Sequence, residues 1–457
     1  MGAIIAVVFI IITGWLLLKK YNPHAVLLLS GLLMLTLSTF LNYNLPELKN
    51  PTGFSGFDLF RFIKESFSKT NAGVGLMIMA IGGFVAYIDK IGASNALVHL
   101  AMRPLKLFKN KPYIAASLVI PLGQVLFVAI PSAAGLSLLL MASLFPILVR
   151  LGVSRLSAVS VITATTAFGI GPASAITASA TQIADVDTIV FFIKNQIPMV
   201  IPLSISMMVT YYFVNRYFDK NQVINPEDIV NEDTKLNVPL IYAVIPLLPI
   251  ILLLVFSKIF NAFDPPITLD TTTAMFISLF IGLLFELLRT RNIKAVLSSL
   301  NTFWNGMGNI FKTVVTLIIT ADIFAKGLIS LGFIDGLIST SQSLGFGIVG
   351  IGVIMTIMIF LASMLMGSGN ASFFAFGPLV PKITKSLGAE TTTLILPMQL
   401  SASMGRTVSP VAGVIIATAE IAKVSTFAIV KRNLIPLGVA LATVSYTHLT
   451  LPTMVQV

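Results

Sequence analysis

Four short stretches rich in glycine, proline and serine interrupt the long apolar runs of the sequence. They are IPSAAGLS (130–137), FGIGPASA (168–175), MGSGNAS (366–372) and MGRTVSP (404–410). A helix that begins at such a break presents free N–H groups and a partial positive charge, and small hydroxyl side chains let a ligand approach the backbone closely. This pattern favours the binding of a small anion. The alternative is that the small residues only permit close packing of helices.

Arg406 is a permanent cation inside the fourth break. An arginine at membrane depth costs several kcal/mol, which makes it a functional candidate, and its fork of N–H donors suits a carboxylate. The alternatives are a structural partner such as Asp322, or a side chain that reaches the membrane interface. Asp322 and Lys326 are four residues apart, and this spacing predicts an ion pair within one helix. We expect Arg406 and the Asp322 pair to be the few ionisable groups at membrane depth.

The elements that position these residues must be membrane helices, because the chain is too apolar for a water-soluble fold. Of its 457 residues 56% are hydrophobic and 10% are charged, whereas soluble domains have about 25% charged residues. Most of the apolar runs fit a single span of about 20 residues. The runs 113–149 and 346–380 are too long for one span and contain the first and third breaks, so each predicts a re-entrant hairpin. The predicted fold is an all-α polytopic membrane protein with about ten transmembrane helices and two re-entrant hairpins.

The polar segment 218–238 divides the chain into two halves with similar patterns. QIADVDTIVFFIKNQIP (182–198) matches EIAKVSTFAIVKRNLIP (420–436) at a constant offset. Because each half has five spans, an odd number, the halves would lie in opposite orientations, as in many secondary transporters. The predicted organisation is a first inverted repeat at 1–217 with a broken helix at 156–184, a cytoplasmic linker at 218–238, and a second inverted repeat at 239–443 with a broken helix at 391–422.

The basic residues lie mainly in short loops on one predicted side of the membrane. The formal net charge is +11, and an excess of Lys and Arg is typical of cytoplasmic loops. The apolar run 3–18 is followed by Lys19 and Lys20, the reverse of the order in a secretory signal, so we expect a retained first span with its N-terminus outside. These charges set topology and do not predict a nucleic-acid partner. The expected partner is the lipid bilayer.

The composition and motifs also exclude several classes of chemistry. The chain has no cysteine, which excludes disulfides, thiolate metal sites and cysteine nucleophiles. It contains no phosphate-binding loop, zinc-protease motif, nucleotide fingerprint or nucleophile elbow. We therefore expect no catalytic residue, no bound metal and no enzyme activity.

Three stretches of the sequence resemble a known family. They are SAAGLSLLLMASLFPILVRLGVSR (132–155), GSGNASFFAFGPLVPKITKSLG (367–388) and LPMQLSASMGRTVSPVAGVIIATAEIAKVSTFAIVKR (396–432). They are similar to the anaerobic C4-dicarboxylate carriers of the DcuC type, in the ion transporter superfamily. The resemblance implies an elevator-type carrier in the bacterial inner membrane. It would move succinate, fumarate or malate by exchange, efflux or symport.

The resemblance also implies a substrate site and partners. Carried over residue by residue, the substrate-binding positions are Ser132, Ala133, Ala134, Gly135, Gly171, Pro172, Ser174, Ser368, Gly369, Asn370, Ser372, Gly405, Arg406, Thr407 and Ser409. A homodimer would fit the superfamily, and no cofactor is expected beyond a coupling Na⁺ or H⁺. Members of the family carry an acidic residue just after the first-half break, whereas GPASAITAS (171–179) has none. The coupling ion and the choice of substrate therefore stay open.

Other functions remain as alternatives. A carrier of the same architecture could move amino acids or other short organic anions, and a channel-like pore and a membrane enzyme are more distant alternatives. The stretch VSYTHLTLPT (444–453) breaks the apolar pattern of the last span and looks like translated adapter sequence. Residues 444–457 are therefore interpreted as a non-native tail.

Overall fold

The computed structural model describes residues 2–108, 110–220, 238–260, 263, 267–343, 345 and 347–450, and no strand occurs among them. Most of the predicted linker, residues 221–237, lies outside the described residues, and so do residues 451–457 of the predicted tail. The helices of the first half are α1 (Gly2–Leu18), α2 (Pro23–Phe40), α3 (Ser55–Thr70), α4 (Leu76–Lys90), α5 (Ala93–Ala101), α6 (Pro112–Ala129), α7 (Ala133–Ser143), α8 (Phe145–Arg150), α9 (Arg155–Ala164), α10 (Ala175–Ala184), α11 (Thr188–Phe191) and α12 (Ile197–Asp219).

The second half begins with a short 3₁₀ segment, Leu240–Leu247, and repeats much of this order. Its helices are α13 (Leu248–Val255), α14 (Thr271–Thr290), α15 (Ile293–Ile310), α16 (Thr316–Ser330), α17 (Phe333–Ser343), α18 (Ile348–Met366), α19 (Gly369–Phe376), α20 (Val380–Ser386), α21 (Thr391–Thr407), α22 (Gly413–Ala422) and α23 (Thr426–Thr450). Because α23 is helical through Thr450, the first part of the predicted tail continues the last helix.

Eight helical stretches of the described chain are long and apolar enough to cross a membrane. This supports a multi-pass membrane protein but differs from the ten single spans expected. Two of the eight are first arms of the predicted hairpins, and four expected spans are missing because their helices are short or broken. The eight stretches are Pro23–Phe40, Ser55–Lys90, Pro112–Ala129, Thr188–Asp219, Thr271–Thr290, Ile293–Ser330, Ile348–Met366 and Thr426–Tyr446. The four expected spans outside this set are 3–18, 156–184, 239–260 and 391–422; the first of them is still one apolar helix, α1, of 17 residues.

Each predicted hairpin consists of helices separated by a short break. In the first, α6 ends at Ala129 and α7 begins at Ala133. In the second, α18 ends at Met366 and α19 begins at Gly369. Both second arms begin the same way, because a serine hydroxyl at the N-cap accepts a hydrogen bond from a backbone N–H three residues on.

The two broken helices differ in where they break. In the first half, residues 165–174 separate α9 from α10, so the break begins earlier than the predicted 168–175. In the second half, α21 stays helical through Thr407 and the break covers 408–412, so the prediction of a break at 404–410 was too early. Threonine, serine and glycine tolerate helical geometry when neighbours bury them, and the sequence pattern alone does not show this burial.

Corresponding turns in the two halves have the same unusual backbone conformation. Gly92 and Gly332, which follow α4 and α16, have φ of +77° and +75°. Gly152 and Gly388, at the ends of the two hairpins, have φ of +95° and +65°. A π-helical turn also joins α3 to α4 and α15 to α16. These matches support the predicted repeat, whose inverted orientation remains a prediction.

Helices of the two halves pack against each other at glycines. A Cβ atom on Gly327 of α16 would lie 2.8 Å from the Met34 Cβ and 3.0 Å from the Gly31 carbonyl oxygen of α2. On α4, a Cβ atom on Gly83 would lie 2.8 Å from the Phe303 ring of α15. Small residues let helix backbones approach this closely in a membrane, where van der Waals packing drives helix association.

Candidate functional site

The candidate site is the seam between the first-half break, residues 165–174, and helix α21. Three polar residues of α21 face this break, and their spacing of four and three residues puts them on one side of the helix. The Gln399 Nε2 atom donates to the Gly169 carbonyl oxygen over 2.6 Å. The Gly169 N–H donates to the Ser403 hydroxyl over 3.1 Å. Arg406 follows one turn later, so α21 presents a continuous polar stripe to the break.

Arg406 lies at the end of this stripe, and its guanidinium makes one hydrogen bond to the described residues. One guanidinium nitrogen, Nη2, donates to the Thr166 carbonyl oxygen over 2.6 Å. The Nε atom is enclosed, and no hydrogen-bond partner for it exists in the described part of the chain. A guanidinium has five N–H donors and no acceptor, so the enclosed Nε–H is a hydrogen-bond donor that no described residue satisfies.

The expected alternative partner of Arg406 is paired elsewhere. Asp322 accepts from Lys326 Nζ over 2.6 Å and also from the Ser66 hydroxyl. The predicted ion pair within one helix is therefore confirmed. Because Asp322 is occupied on α16 and Arg406 binds a carbonyl of the first-half break, an Arg406–Asp322 pair is excluded.

Both broken helices resume with uncapped N-termini. Helix α10 begins after Ser174 and α22 begins after Ala412, and neither of these residues makes a side-chain hydrogen bond to the first turn. Each helix has 10 residues. Free N–H groups at a helix N-terminus carry about half a positive charge and bind anions. The two broken segments therefore contain three positive groups: the N-termini of α10 and α22, and Arg406.

The tip of the second hairpin packs directly on the second broken helix. A Cβ atom on Gly369 would lie 2.7 Å from the Ala402 carbonyl oxygen, and one on Gly367 would lie 3.0 Å from the Ala412 nitrogen. The Ser368 hydroxyl accepts from the Ala371 N–H over 3.2 Å. The hairpin tip is therefore fixed against both α21 and the start of α22.

The first hairpin meets the first-half break through its first arm. A Cβ atom on Gly171 would lie 2.7 Å from the Val128 side chain. The tip itself faces a residue that the sequence pattern did not single out, because a Cβ atom on Gly135 would lie 3.8 Å from Asp89 Oδ2. The Ser132 hydroxyl caps α7 by accepting from the Gly135 N–H over 3.1 Å.

Several hydroxyls predicted to bind substrate already have partners. The Thr407 hydroxyl donates to the Ser403 carbonyl oxygen over 3.0 Å, and the Ser174 hydroxyl donates to the Gly169 carbonyl oxygen over 3.3 Å. The Ser372 hydroxyl donates to the Gly369 carbonyl oxygen over 3.0 Å. Ser409 accepts from the Val411 N–H over 3.4 Å. These side chains shape the breaks, and their contact with substrate remains a prediction.

The remaining predicted positions differ in exposure. Pro172 and Gly405 are buried, Ala133 and Asn370 are partly buried, and Ala134 is exposed. A Cβ atom on Gly405 would lie 2.2 Å from the Phe360 carbonyl oxygen of α18, so this glycine permits the close packing of two helices. Close packing was the alternative explanation of the small residues, and it holds at this position.

The structure adds residues that sequence patterns missed. Gln399 and Ser403 belong to the polar stripe. The sequence feature that could have identified them is the spacing of two polar residues one helical turn apart in an apolar segment. Arg432 and Asp219 form a second buried ion pair, with exposures of 4% and 0%. Burial inside the protein does not fix depth in the membrane, so the expectation that Arg406 and the Asp322 pair are the few ionisable groups at membrane depth stays a prediction.

Sequence comparison assigns the family. The family model described as DcuC: C4-dicarboxylate anaerobic carrier matches residues 1–452. The chain belongs to the DcuC family. It is 35% identical over 442 residues to the anaerobic C4-dicarboxylate transporter DcuC of Escherichia coli strain K12, covering 96% of this chain and 95% of that protein. It is also 35% identical over 443 residues to the probable anaerobic C4-dicarboxylate transporter DcuC of Vibrio cholerae, covering 96% of each chain.

DcuC proteins are carriers and not enzymes, so the family assignment agrees with the lack of a catalytic motif. The fold also resembles two solved transporters. The YdaH transporter of Alcanivorax borkumensis aligns with a TM-score of 0.65 and 14% identity, over 95% of this chain and 99% of that one. MtrF of Neisseria gonorrhoeae aligns with a TM-score of 0.60 and 13% identity, over 94% and 96% of the two chains. These similarities concern the fold alone.

Proposed function

We propose that this chain carries C4-dicarboxylates such as succinate, fumarate and malate across the membrane, by exchange, efflux or symport. The observation that carries the proposal is Arg406, a partly buried guanidinium whose enclosed Nε–H has no protein partner in the described chain. Removing such a cation from water is unfavourable unless an anion or hydrogen bonds compensate it. A substrate carboxylate supplies this compensation.

A dicarboxylate has two charges, and the two broken segments hold two kinds of positive group. One carboxylate binds the free donors of Arg406, which hold it as charge-assisted hydrogen bonds. The other binds the N–H groups at the uncapped starts of α10 and α22. The predicted loop residues Ser132–Gly135 and Ser368–Ser372 close the site from the two hairpins.

The proposed mechanism is of the elevator type, in which the hairpins and broken helices move against a scaffold. Packing supports this division, since the second hairpin and both broken helices are fixed to one another through α21. The same proposal includes a homodimer in the bacterial inner membrane. It also includes coupling to Na⁺ or H⁺, which counterflow with and without a sodium gradient tests directly.

The test is counterflow into vesicles that contain the purified protein. Vesicles loaded with succinate should take up labelled fumarate or succinate with saturable kinetics, and empty vesicles should not. Unlabelled dicarboxylates should compete, whereas monocarboxylates and amino acids with a single carboxylate should compete weakly, because they cannot satisfy both positive groups. Uptake of an amino acid without any dicarboxylate counterflow would disprove the substrate assignment, and currents far above carrier turnover would indicate a pore.

A further inference from the structure

Three buried carboxamides outside the predicted binding loops hold the two breaks: Gln196, Gln399 and Asn433. None of the three has exposed surface. Each comes from a different helical segment, and each binds a backbone group or threonine next to a break. Burying a carboxamide is unfavourable unless it is hydrogen-bonded. Gln196 and Asn433 bond through both oxygen and nitrogen, whereas Gln399 bonds through its nitrogen and its Oε1 atom has no partner among the described residues.

Gln196 holds the turn at Gly171. It is the last residue of a π-helical turn, Phe192–Gln196, that leads into α12. Its Oε1 atom accepts from the Gly171 N–H over 2.9 Å, and its Nε2 atom donates to the Thr177 hydroxyl over 3.0 Å. Gly171 has a φ of +92°, which L side chains rarely adopt, and its N–H lies in the break outside any helix, where the Gln196 side chain supplies its acceptor.

Gln399 reaches the same threonine from the other half of the chain. Its Nε2 atom donates to the Thr177 hydroxyl over 2.8 Å as well as to the Gly169 carbonyl oxygen. The Thr177 hydroxyl in turn donates to the Gly169 carbonyl oxygen over 3.2 Å. One hydroxyl therefore joins two carboxamides and the first-half break.

Asn433 performs the equivalent task at the second break. Its Nδ2 atom donates to the Thr407 carbonyl oxygen over 3.1 Å, which satisfies a carbonyl at the C-terminus of α21. The same nitrogen donates to the Thr163 hydroxyl over 3.1 Å, and the Oδ1 atom accepts from the Tyr211 hydroxyl over 3.0 Å. The residue after Arg406 is thus fixed to α9 and α12 through one side chain.

Neutral carboxamides suit this task for a physical reason. A helix break leaves N–H and C=O groups without partners, and in a membrane these must be paired inside the protein. A carboxamide offers both a donor and an acceptor. A carboxylate here would compete with the substrate for Arg406, and an ammonium would attract the substrate away from it.

We infer that Gln196, Gln399 and Asn433 are positioning residues, which hold the first turn of α10 and the backbone next to Arg406 in the arrangement that binds a dicarboxylate. This inference rests on the proposed function. It predicts that removing one of these hydrogen bonds weakens substrate affinity even in a variant that folds and still transports.

Thr177 gives the mildest test, because valine has the same shape as threonine and lacks only the hydroxyl. In the counterflow assay, Thr177→Val should raise the KM for succinate by about five- to tenfold, the effect of leaving buried hydrogen-bonding groups unmatched, with the maximal rate changed much less. Thr177→Ser keeps the hydroxyl and should restore a KM within about twofold of the wild type. An unchanged KM for folded Thr177→Val would overturn the inference while leaving the proposed function intact.

A second pair of variants separates positioning from stability. Gln124 is also buried, but its Oε1 atom accepts from the Ser204 hydroxyl of a neighbouring helix, and no hydrogen bond joins its side chain to a break among the described residues. Asn433→Leu and Gln124→Leu should both lower the melting temperature in detergent, and only Asn433→Leu should raise the KM. Equal KM values in the two variants would show that the carboxamides are structural only. Failure of the wild type to exchange any dicarboxylate would instead disprove the proposed function.

Discussion

At the scale of single residues, Arg432 shows how the chain keeps a buried charge. Its Nη1 atom donates to Asp219 Oδ1 over 3.0 Å and to the Ser157 hydroxyl over 2.7 Å. Asp219 also accepts from the Ser157 and Tyr113 hydroxyls over 2.6 and 3.2 Å. A buried pair is tolerated only when further hydrogen bonds satisfy both charges, and this network meets that condition.

Removing one member of this pair should be far more damaging than removing both. Asp219→Asn or Arg432→Leu should lower the unfolding free energy by about 3–5 kcal/mol, because one charge stays buried without compensation. The double variant Asp219→Leu with Arg432→Met should recover most of this loss. The measurement is unfolding in mixed detergent micelles.

Arg289 is the matched control for the buried pair. Its bond to Glu286 lies nearer the surface, with exposures of 35% and 11%. Arg289→Leu should therefore cost less than a variant of the buried pair, about 1–2 kcal/mol, because Glu286 is left without its cation but keeps the Tyr242 hydroxyl as a donor. The comparison is between the losses of unfolding free energy. If the single variants of the buried pair lose no more than this control, the pair is not a stabilising unit.

The two arginines also show how far single residues could be predicted. Arg406 was identifiable because it is a charge within an apolar run, although it lies in the last turn of α21 and not in the predicted break. Its partner, the Thr166 carbonyl, is 240 residues away, and no local pattern indicates such a contact. Arg432 was missed because the basic stretch KRN (431–433) resembles the basic residues of a loop. Its partner, Asp219, lies 213 residues away in the sequence.

At the scale of elements, close packing of α18 on α21 brings the second hairpin to the site. A Cβ atom on Gly405 would lie 2.2 Å from the Phe360 carbonyl oxygen and 2.8 Å from the Ser363 Cβ. A helix backbone cannot move aside as a flexible side chain can. The two helices must therefore separate to make space for even one methyl group at position 405. This separation would also displace the adjacent Arg406.

Gly405→Ala should therefore reduce both stability and transport. The expected loss is about 1–3 kcal/mol in unfolding free energy, together with a reduced rate of labelled fumarate uptake. Gly438→Ala is the control, since nothing lies within 4 Å of a Cβ atom at that position on α23. Equal stability and uptake in the two variants would contradict the packing argument.

The elements themselves were largely predictable, and their edges were not. Apolar runs identify most of the helices, and the serine caps at Ser132 and Ser368 mark the hairpin breaks. The break edges depend on tertiary contacts instead. Residues 165–167 are not helical although their sequence permits a helix, and their backbone lies against α21.

At the scale of the whole molecule, the central question is whether the halves are inverted. The hairpins end at corresponding turns, next to Leu151 in the first half and Leu387 in the second. Inverted repeats place these turns on opposite sides of the membrane. The positive-inside pattern predicts that the turn at Leu151 is cytoplasmic and the turn at Leu387 is outside.

The lack of cysteine in the chain makes this orientation easy to measure. Leu387→Cys should react with a membrane-impermeant maleimide in intact cells, and Leu151→Cys should react only after the membrane is opened. Labelling of both variants from the same side would disprove the inverted repeat, whatever the transported substrate.

In the proposed carrier, Arg406 is the group that receives a substrate carboxylate. The most direct test is labelled fumarate uptake into succinate-loaded vesicles, with Arg216→Ala as control, because Arg216 is exposed and binds only the nearby Tyr212 hydroxyl among the contacts seen. Arg406→Ala should lower kcat/KM by about 30-fold or more, as expected for 2 kcal/mol or more lost from a buried charge pair. The control should stay within about twofold. Full uptake with an unchanged KM in folded Arg406→Ala would contradict the account.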